Sequence, residues 1–190
     1  MEKIPATPDE AAIIEEVPVE LIEFWNSMPE VIKLGDPILR KIAKPVTRIN
    51  RDIQNLVKRM EKIMRDSDGL GLAAPQIGES IRLFVYDSGE GFRVIINPQI
   101  VSLKGEQSKP NEGCLSIPGL QGVVKRAKEV RVRGFDERNK PINRRATELE
   151  ARVIQHELDH LDGVLFFDRV EQGTLEWVIG EDDDEQQPQG

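Results

Sequence analysis

The sequence predicts an α+β fold, a single domain in which antiparallel strands and sheets surround a long central helix carrying an H-E-x-x-H motif. Three observations predict it: apolar residues at helical spacing over residues 50–69, two strand-like runs separated by a turn over 81–98, and a capped helical segment from Thr147. At 190 residues the chain has one domain's length, enough to bury a sizeable core.

Residues 11–25 have helical apolar spacing that Pro18 interrupts, since proline lacks the amide hydrogen and clashes with the preceding turn. The pattern of a folded domain starts at Val31, with no internal repeat. Ile53, Leu56, Val57, Met60, Ile63 and Met64 recur at three and four, with Asn50 as N-cap and Asp68-Gly69 as stop. This helix packs along one face. Residues 81–87 and 92–98 read as strands joined by a hairpin-type turn at Ser88-Gly89-Glu90-Gly91. The stretch 123–136 alternates near its end, as a half-buried strand does. Thr147-Glu148-Leu149-Glu150 is a capping-box signature, and the helix it opens should run to about Leu161, with Gly163 just past its end.

Composition narrows the class. Apolar residues make up 38% and charged ones 32%, which excludes a wholly disordered chain. No apolar run approaches the roughly 20 residues of a membrane span. A single cysteine excludes an intrachain disulfide and fits a reducing compartment. The acidic start has neither the basic stretch and apolar core of a secretory signal nor the arginines of a transit peptide, so the expected location is cytoplasmic. The net charge of -8 divides the chain. Residues 1–30 carry eight acidic side chains against one lysine and read as an acidic N-terminal extension, partly helical or flexible. Residues 171–190 carry seven acidic and no basic side chains and read as a largely disordered tail. The central domain, 31–170, holds 25 Lys/Arg against 19 Asp/Glu, a balance that a solvated surface of mixed sign accounts for.

The chemistry lies in the second helix, at Gln155-His156-Glu157-Leu158-Asp159-His160. Histidines at i and i+4 project within roughly 40° of each other, so both imidazoles reach one metal ion. Glu157 beside them can take a proton from a metal-bound water without ligating the metal. Leu149, Val153, His156 and His160 share one stripe, which turns the site inward. The competing reading is a pair of satisfied core histidines. These are the chain's only two, however, and random placement sets two histidines four apart only about 1% of the time.

A third ligand is needed. A metzincin-type continuation fails, because Gly163 is in place but Phe166 stands where the last histidine belongs. A thermolysin-like enzyme would use a later glutamate, Glu176 or Glu181, in a segment with little chain left to build a helix. Cys114 is the remaining candidate. A lone cysteine is more often a small buried hydrophobe, but this one sits in Asn111-Glu112-Gly113-Cys114-Leu115-Ser116-Ile117-Pro118-Gly119, a Gly- and Pro-punctuated segment typical of a constrained site. Two histidines and one thiolate leave a fourth position open, the arrangement of a catalytic rather than a structural metal.

Three segments together resemble one family. Gly69-Leu70-Gly71-Leu72-Ala73-Ala74-Pro75-Gln76 looks like its G-x-G-x-A-A-x-Q motif, Glu112-Gly113-Cys114-Leu115-Ser116 like its E-G-C-L-S motif, and 155–160 like its Q-H-E-x-D-H motif. The family is peptide deformylase, and the match in order and spacing spans about 31–170. The resemblance implies hydrolysis of the N-formyl group from formylmethionyl nascent chains with release of formate. It implies Cys114, His156 and His160 as ligands of one iron(II) ion (Fe2+) per chain, with Zn2+, Ni2+ or Co2+ as substitutes. It makes Glu157 the general base and acid, and assigns oxyanion donation to the Gln76 side-chain amide and the Leu115 backbone N–H. Gly69 and Gly71 are close-approach positions where an extended peptide can pair with the backbone, and Gly113 joins them as substrate-binding; a helix C-cap followed by a turn accounts for the first segment equally well. Leu70, Leu149 and Val153 match positions lining the methionine pocket, and Arg152 is expected at its rim. Glu112 is expected to support the metal loop through a basic partner, Arg126. The implied partners are formylmethionyl peptides and nascent chains. Contact with the ribosome would be transient, since the chain ends acidic where many relatives end in a basic helix. No membrane and no sequence-specific nucleic acid are expected, and the chain is expected to be a monomer. Lys125, Arg126, Lys128, Arg131 and Arg133 read as a solvated strand face rather than an RNA surface. Two rivals remain: the thermolysin-like peptidase, and a metal-stabilised binding module that holds peptides or ribosomal partners without cleaving them.

Overall fold

The computed structural model describes residues 10–107 and 111–178. Its N-terminal segment forms two short helices, α1 (Glu10–Glu15) and α2 (Ile22–Asn26), separated at Pro18 and joined by a 3-10 turn. Ile13 and Leu21 are buried, so this segment lies packed on the domain. Arg40 ties its start to the chain's later part by bonding both Glu10 and Asp168.

The first long helix, α3 (Arg51–Asp66), begins where its sequence signals place it: the Asn50 side chain accepts from Ile53 N at 3.1 Å. Val57, Met60, Ile63 and Met64 form its buried face. Strands follow in the order β1 (Gly71–Ala73), β2 (Leu83–Tyr86), β3 (Arg93–Lys104), β4 (Glu112–Cys114), β5 (Ile117–Gly122), β6 (Glu129–Phe135), β7 (Pro141–Thr147) and, after the last helix, β8 (Glu176–Trp177). They make two antiparallel sheets, one of five strands in the order β1-β2-β3-β6-β7 and one of three in the order β4-β5-β8. The fold is the expected α+β single domain.

The β2–β3 hairpin turns where Ser88 to Gly91 predict it, with Asp87 Oδ1 accepting from the amides of Gly89 and Gly91. β3 extends past the expected end at Pro98 because the pairing with β6 shifts register between Ile96 and Gln99, which places the proline in a bulge. β6 alternates as expected, Val130 and Val132 inward, Arg131 and Arg133 outward. It is shorter than the 123–136 stretch. Within the basic run Arg126 departs from the solvated-face reading, being only 5% exposed.

The motif helix, α4 (Glu148–Leu161), follows β7 directly, but no capping box forms. Thr147 remains in the sheet opposite Glu129 and makes no side-chain cap. The Glu150 carboxylate is taken instead by Tyr86 Oη and Arg144 Nη2, each at 2.9 Å. Ala151, Ile154, Leu158 and Leu161 pack with Phe84, Ile95, Val130 and Val132 of the large sheet. Downstream, the segment expected to be disordered from 171 instead supplies β8, whose Trp177 pairs with Leu120 and packs on Trp25 with ring centroids 6.3 Å apart. Two residues of strand in an acidic stretch have no period to read. The final run, EDDDEQQPQG, lies outside the described residues. No described helix is long and apolar enough to cross a membrane.

Gly163 closes α4 at φ +72°, and a Cβ there would stand 2.5 Å from the Arg40 carbonyl oxygen. The left-handed backbone alone costs a non-glycine residue about 1–2 kcal/mol, and here backbone would have to move as well. Gly163→Ala should therefore lower unfolding free energy by about 2 kcal/mol or more, read as a reduced denaturation midpoint at unchanged slope.

Candidate active site

β4 and β5 form a tight hairpin in which Cys114 pairs with Ile117 across a Leu115-Ser116 turn, presenting the thiol toward α4. Cys114 Sγ stands 3.3 Å from His160 Nε2, and one ligand atom from each of Cys114, His156 and His160 lies within 4.8 Å of the others. Donors bound at 2.0–2.3 Å to one tetrahedral cation lie roughly 3.5 Å apart, so the spacing suits a shared metal. The donor chemistry fits too, since a thiolate and two imidazoles suit iron or zinc. The chain has no further histidine or cysteine to close the site.

A buried carboxylate orients this set. Glu112 Oε2 stands 3.1 Å from His156 Nδ1, leaving the opposite ring nitrogen for the cluster. Arg126 bonds Glu112 through Nε (2.9 Å) and Nη2 (2.8 Å), as the sequence suggests, and reaches Asp159 through Nη1 at 2.6 Å. Arg152 is not a rim residue: its Nη1 bonds Glu112 Oε1 at 2.7 Å and the Val124 carbonyl at 2.9 Å, and it is only 3% exposed. Burial by itself would raise the Glu112 carboxyl, but bonds from Arg126 and His156 outweigh it and hold the group well below the carboxylate range. Burial by itself would push His156 down, yet its bonds to Cys114 and Glu112 hold it well above its ordinary value. His160 is lowered by burial, with His156 and Arg126 adding.

Glu157 differs from both buried acids. Its Oε2 is buried with no hydrogen-bond partner among the described residues, and burial raises its carboxyl to about 7. Gly71 makes room for it, because a Cβ there would collide with the Glu157 carboxylate. The sequence predicts the approach of a peptide to this glycine; the neighbour that requires it here is Glu157. Gln76 stands in a 3-10 turn after β1; its Oε1 accepts from Ala73 N at 2.8 Å, which aims Nε2 at Cys114 Sγ (3.5 Å) and Ser116 Oγ (3.2 Å).

Of the residues that the resemblance assigns to metal, catalysis or substrate, all but the buried His160 line one groove of about 910 Å3. Leu70 and Leu149 are 48% and 40% exposed there, beside the buried Val153. β1, with Gly71, and β4, with Gly113, are the outer strands of their sheets, so each brings a sheet edge to the groove. Glu176 does not converge on the ligand set: it lies in β8, where Asn111 Nδ2 approaches it at 3.4 Å. Glu181 lies outside the described residues. Two features escaped the sequence reading. Asp159, inside the motif, carries Arg126 and also Arg169, whose Nε and Nη2 donate at 2.7 and 2.8 Å; Arg169 has no local signal. The N-terminal residues Glu20, Leu21, Phe24 and Met28 line the groove as well.

Comparison with known proteins gives a consistent answer. The profile of the polypeptide deformylase family matches residues 28–175. The chain is 48% identical over 142 residues to a peptide deformylase of Carboxydothermus hydrogenoformans, covering 75% of this chain and 93% of that one. It is 51% identical over 138 residues to that of Caldanaerobacter subterraneus subsp. tengcongensis, covering 73% and 86%. Among solved structures, the Thermotoga maritima peptide deformylase superposes with a TM-score of 0.73 at 41% identity, covering 74% of this chain and 96% of that one. The Synechococcus elongatus enzyme in complex with actinonin gives 0.74 at 43%, covering 78% and 82%.

Removing one partner of a buried ion network leaves uncompensated charge and costs about 3–5 kcal/mol. Arg126→Met should lose that much stability, whereas Lys125→Ala, one residue away on the exposed side, should stay within about 0.5 kcal/mol of the parent. Chemical denaturation of the two variants checks the contrast.

Proposed function

The chain belongs to the polypeptide deformylase family, and from that premise we propose that it hydrolyses the N-formyl group of formylmethionyl peptides and nascent chains, releasing formate. One observation carries the reading: a thiol and two imidazoles converge beside a buried Glu157 oxygen that has no other partner among the described residues, at the wall of an open groove. Cys114, His156 and His160 would hold one divalent cation, which we assign as iron(II), with zinc, nickel or cobalt as substitutes. A cation held there supplies Lewis acidity, rendering a water acidic near neutral pH and polarising the formyl carbonyl.

The chain's own groups do the rest. Glu157 accepts a proton from the attacking water on its free carboxylate oxygen and delivers it to the peptide nitrogen as the C–N bond breaks. A carboxyl near 7 can both take and give that proton at neutral pH. The water oxygen leaves in formate, and the amine is freed. The Gln76 Nε2–H and the Leu115 N–H donate to the developing oxyanion, each such donor being worth about 2.7–4 kcal/mol at the transition state. An extended peptide adding to the β1 and β4 edges is recognised by its backbone, which tolerates varied sequence. Its methionine side chain finds Leu70, Leu149 and Val153. Substrate of this kind is met in the cytoplasm at the ribosome, and we place the protein there as a monomer with transient ribosome contact.

Glu157→Gln should retain a full complement of metal yet release formate from formyl-Met-Ala-Ser at least 10²- to 10⁴-fold more slowly, the usual range for a lost general base. Parent-like turnover by that variant would overturn the assignment. Glu176→Gln should leave both metal content and rate intact; loss of metal would favour the peptidase reading. Protein purified anaerobically with iron should lose activity in air as the metal and Cys114 oxidise, and sooner than the nickel-loaded form. Equal lifetimes would remove the assignment of iron.

A further inference from the structure

We propose that the N-terminal segment builds a wall of the substrate groove, in which Phe24 selects an apolar side chain on the residue that follows formylmethionine; the proposal rests on the deformylase reading. The groove that holds Cys114 and Glu157 also holds Glu20, Leu21, Phe24 and Met28. The family profile starts at residue 28, so the first three of these lie outside the matched region.

The wall is fixed in place. Leu21 is 5% exposed and packs on Gly119, where a Cβ would collide with it. Trp25 packs on Trp177 of β8, and the next residue, Val178, donates its amide to the Gly119 carbonyl at 2.7 Å. Between these anchored residues Phe24 is left 50% exposed on the groove surface, an apolar ring whose cover would come from whatever enters. The space matches such an occupant. At about 910 Å3 the groove is near the top of the ~300–1,000 Å3 that hold drug-sized ligands, more than formylmethionine alone requires. Glu20 on the same wall adds negative charge, which disfavours an acidic side chain there.

The test compares formyl-Met-Leu-Ser, formyl-Met-Ser-Ser and formyl-Met-Asp-Ser on the parent, Phe24→Ser and Phe24→Leu. The parent should prefer the leucine peptide over the serine peptide on the order of tenfold in kcat/KM, through KM, with the aspartate peptide worst. Phe24→Ser should shrink the leucine preference at least threefold and Phe24→Leu should restore most of it. An unchanged preference in Phe24→Ser overturns the proposal. Binding is read separately, by fluorescence of Trp25 and Trp177, the chain's only tryptophans, as formyl-Met-Leu-Ser is titrated into Glu157→Gln with and without Phe24→Ser. Weaker binding of the leucine peptide in the double variant upholds the wall, and equal binding overturns it. Absence of formate release from all three peptides by the parent would instead remove the deformylase reading, leaving the titration to judge the wall alone.

Discussion

The site depends on one buried carboxylate. Glu112 lies two residues before Cys114 on β4 and bonds Arg126, Arg152 and His156. It thereby joins the thiol-bearing hairpin to α4. Arg126 extends the network to Asp159, the neighbour of His160, so both histidine-bearing turns of the helix are tied to the same guanidinium. Such a network is costly to desolvate and is weak evidence for net stability. Its effect is orientation: His156 Nδ1 faces Glu112, so the ring's other nitrogen is committed to the cluster. Glu157, on the same helix turn but outside the network, keeps a carboxylate oxygen unengaged among the described residues.

How much of this was legible follows from where each signal resides. The motif helix and α3 could be read because a 3.6-residue period is local, and Asn50 caps as its side chain dictates. The convergence of Cys114, His156 and His160 could be read because histidine and cysteine are so scarce here that few combinations exist. The Thr147 capping box was a sound local inference that lost to tertiary partners: Tyr86 and Arg144 bond Glu150 while Thr147 stays paired in β7. Arg152 was misplaced for a similar reason, since a helical period gives the side a residue faces but not the carboxylate waiting there from β4. The extent of β3 through Pro98 and the short β8 are set by register against partners distant in sequence.

α4 serves two layers at once. Ala151, Ile154, Leu158 and Leu161, spaced three, four and three apart, bury against the five-stranded sheet. The side bearing Arg152, His156 and Asp159 meets groups from the smaller sheet and the segment after it, and His156 stacks on Phe166 at 6.3 Å. Cys114 and the two histidines therefore come from two layers, and α4 is held in place by ordinary core packing on its far side, where a change of even one methylene is felt.

The substrate edges obey a related constraint. An exposed strand edge invites pairing with any other chain, so it is kept short unless it is used. β1 and β4 are three residues each. What stops each one is what supplies the chemistry. β1 ends where the chain tightens into the 3-10 turn that carries Gln76, and β4 ends at Cys114 where the hairpin turns through Leu115. In the proposed binding mode, a peptide that extends either edge would run out of backbone partners beside the cluster of Cys114, His156 and His160. Limiting the edges thus guards against indiscriminate pairing and, for the proposed substrate, would also set the register of the scissile bond, because a longer β1 or β4 would let the same peptide slide past Glu157.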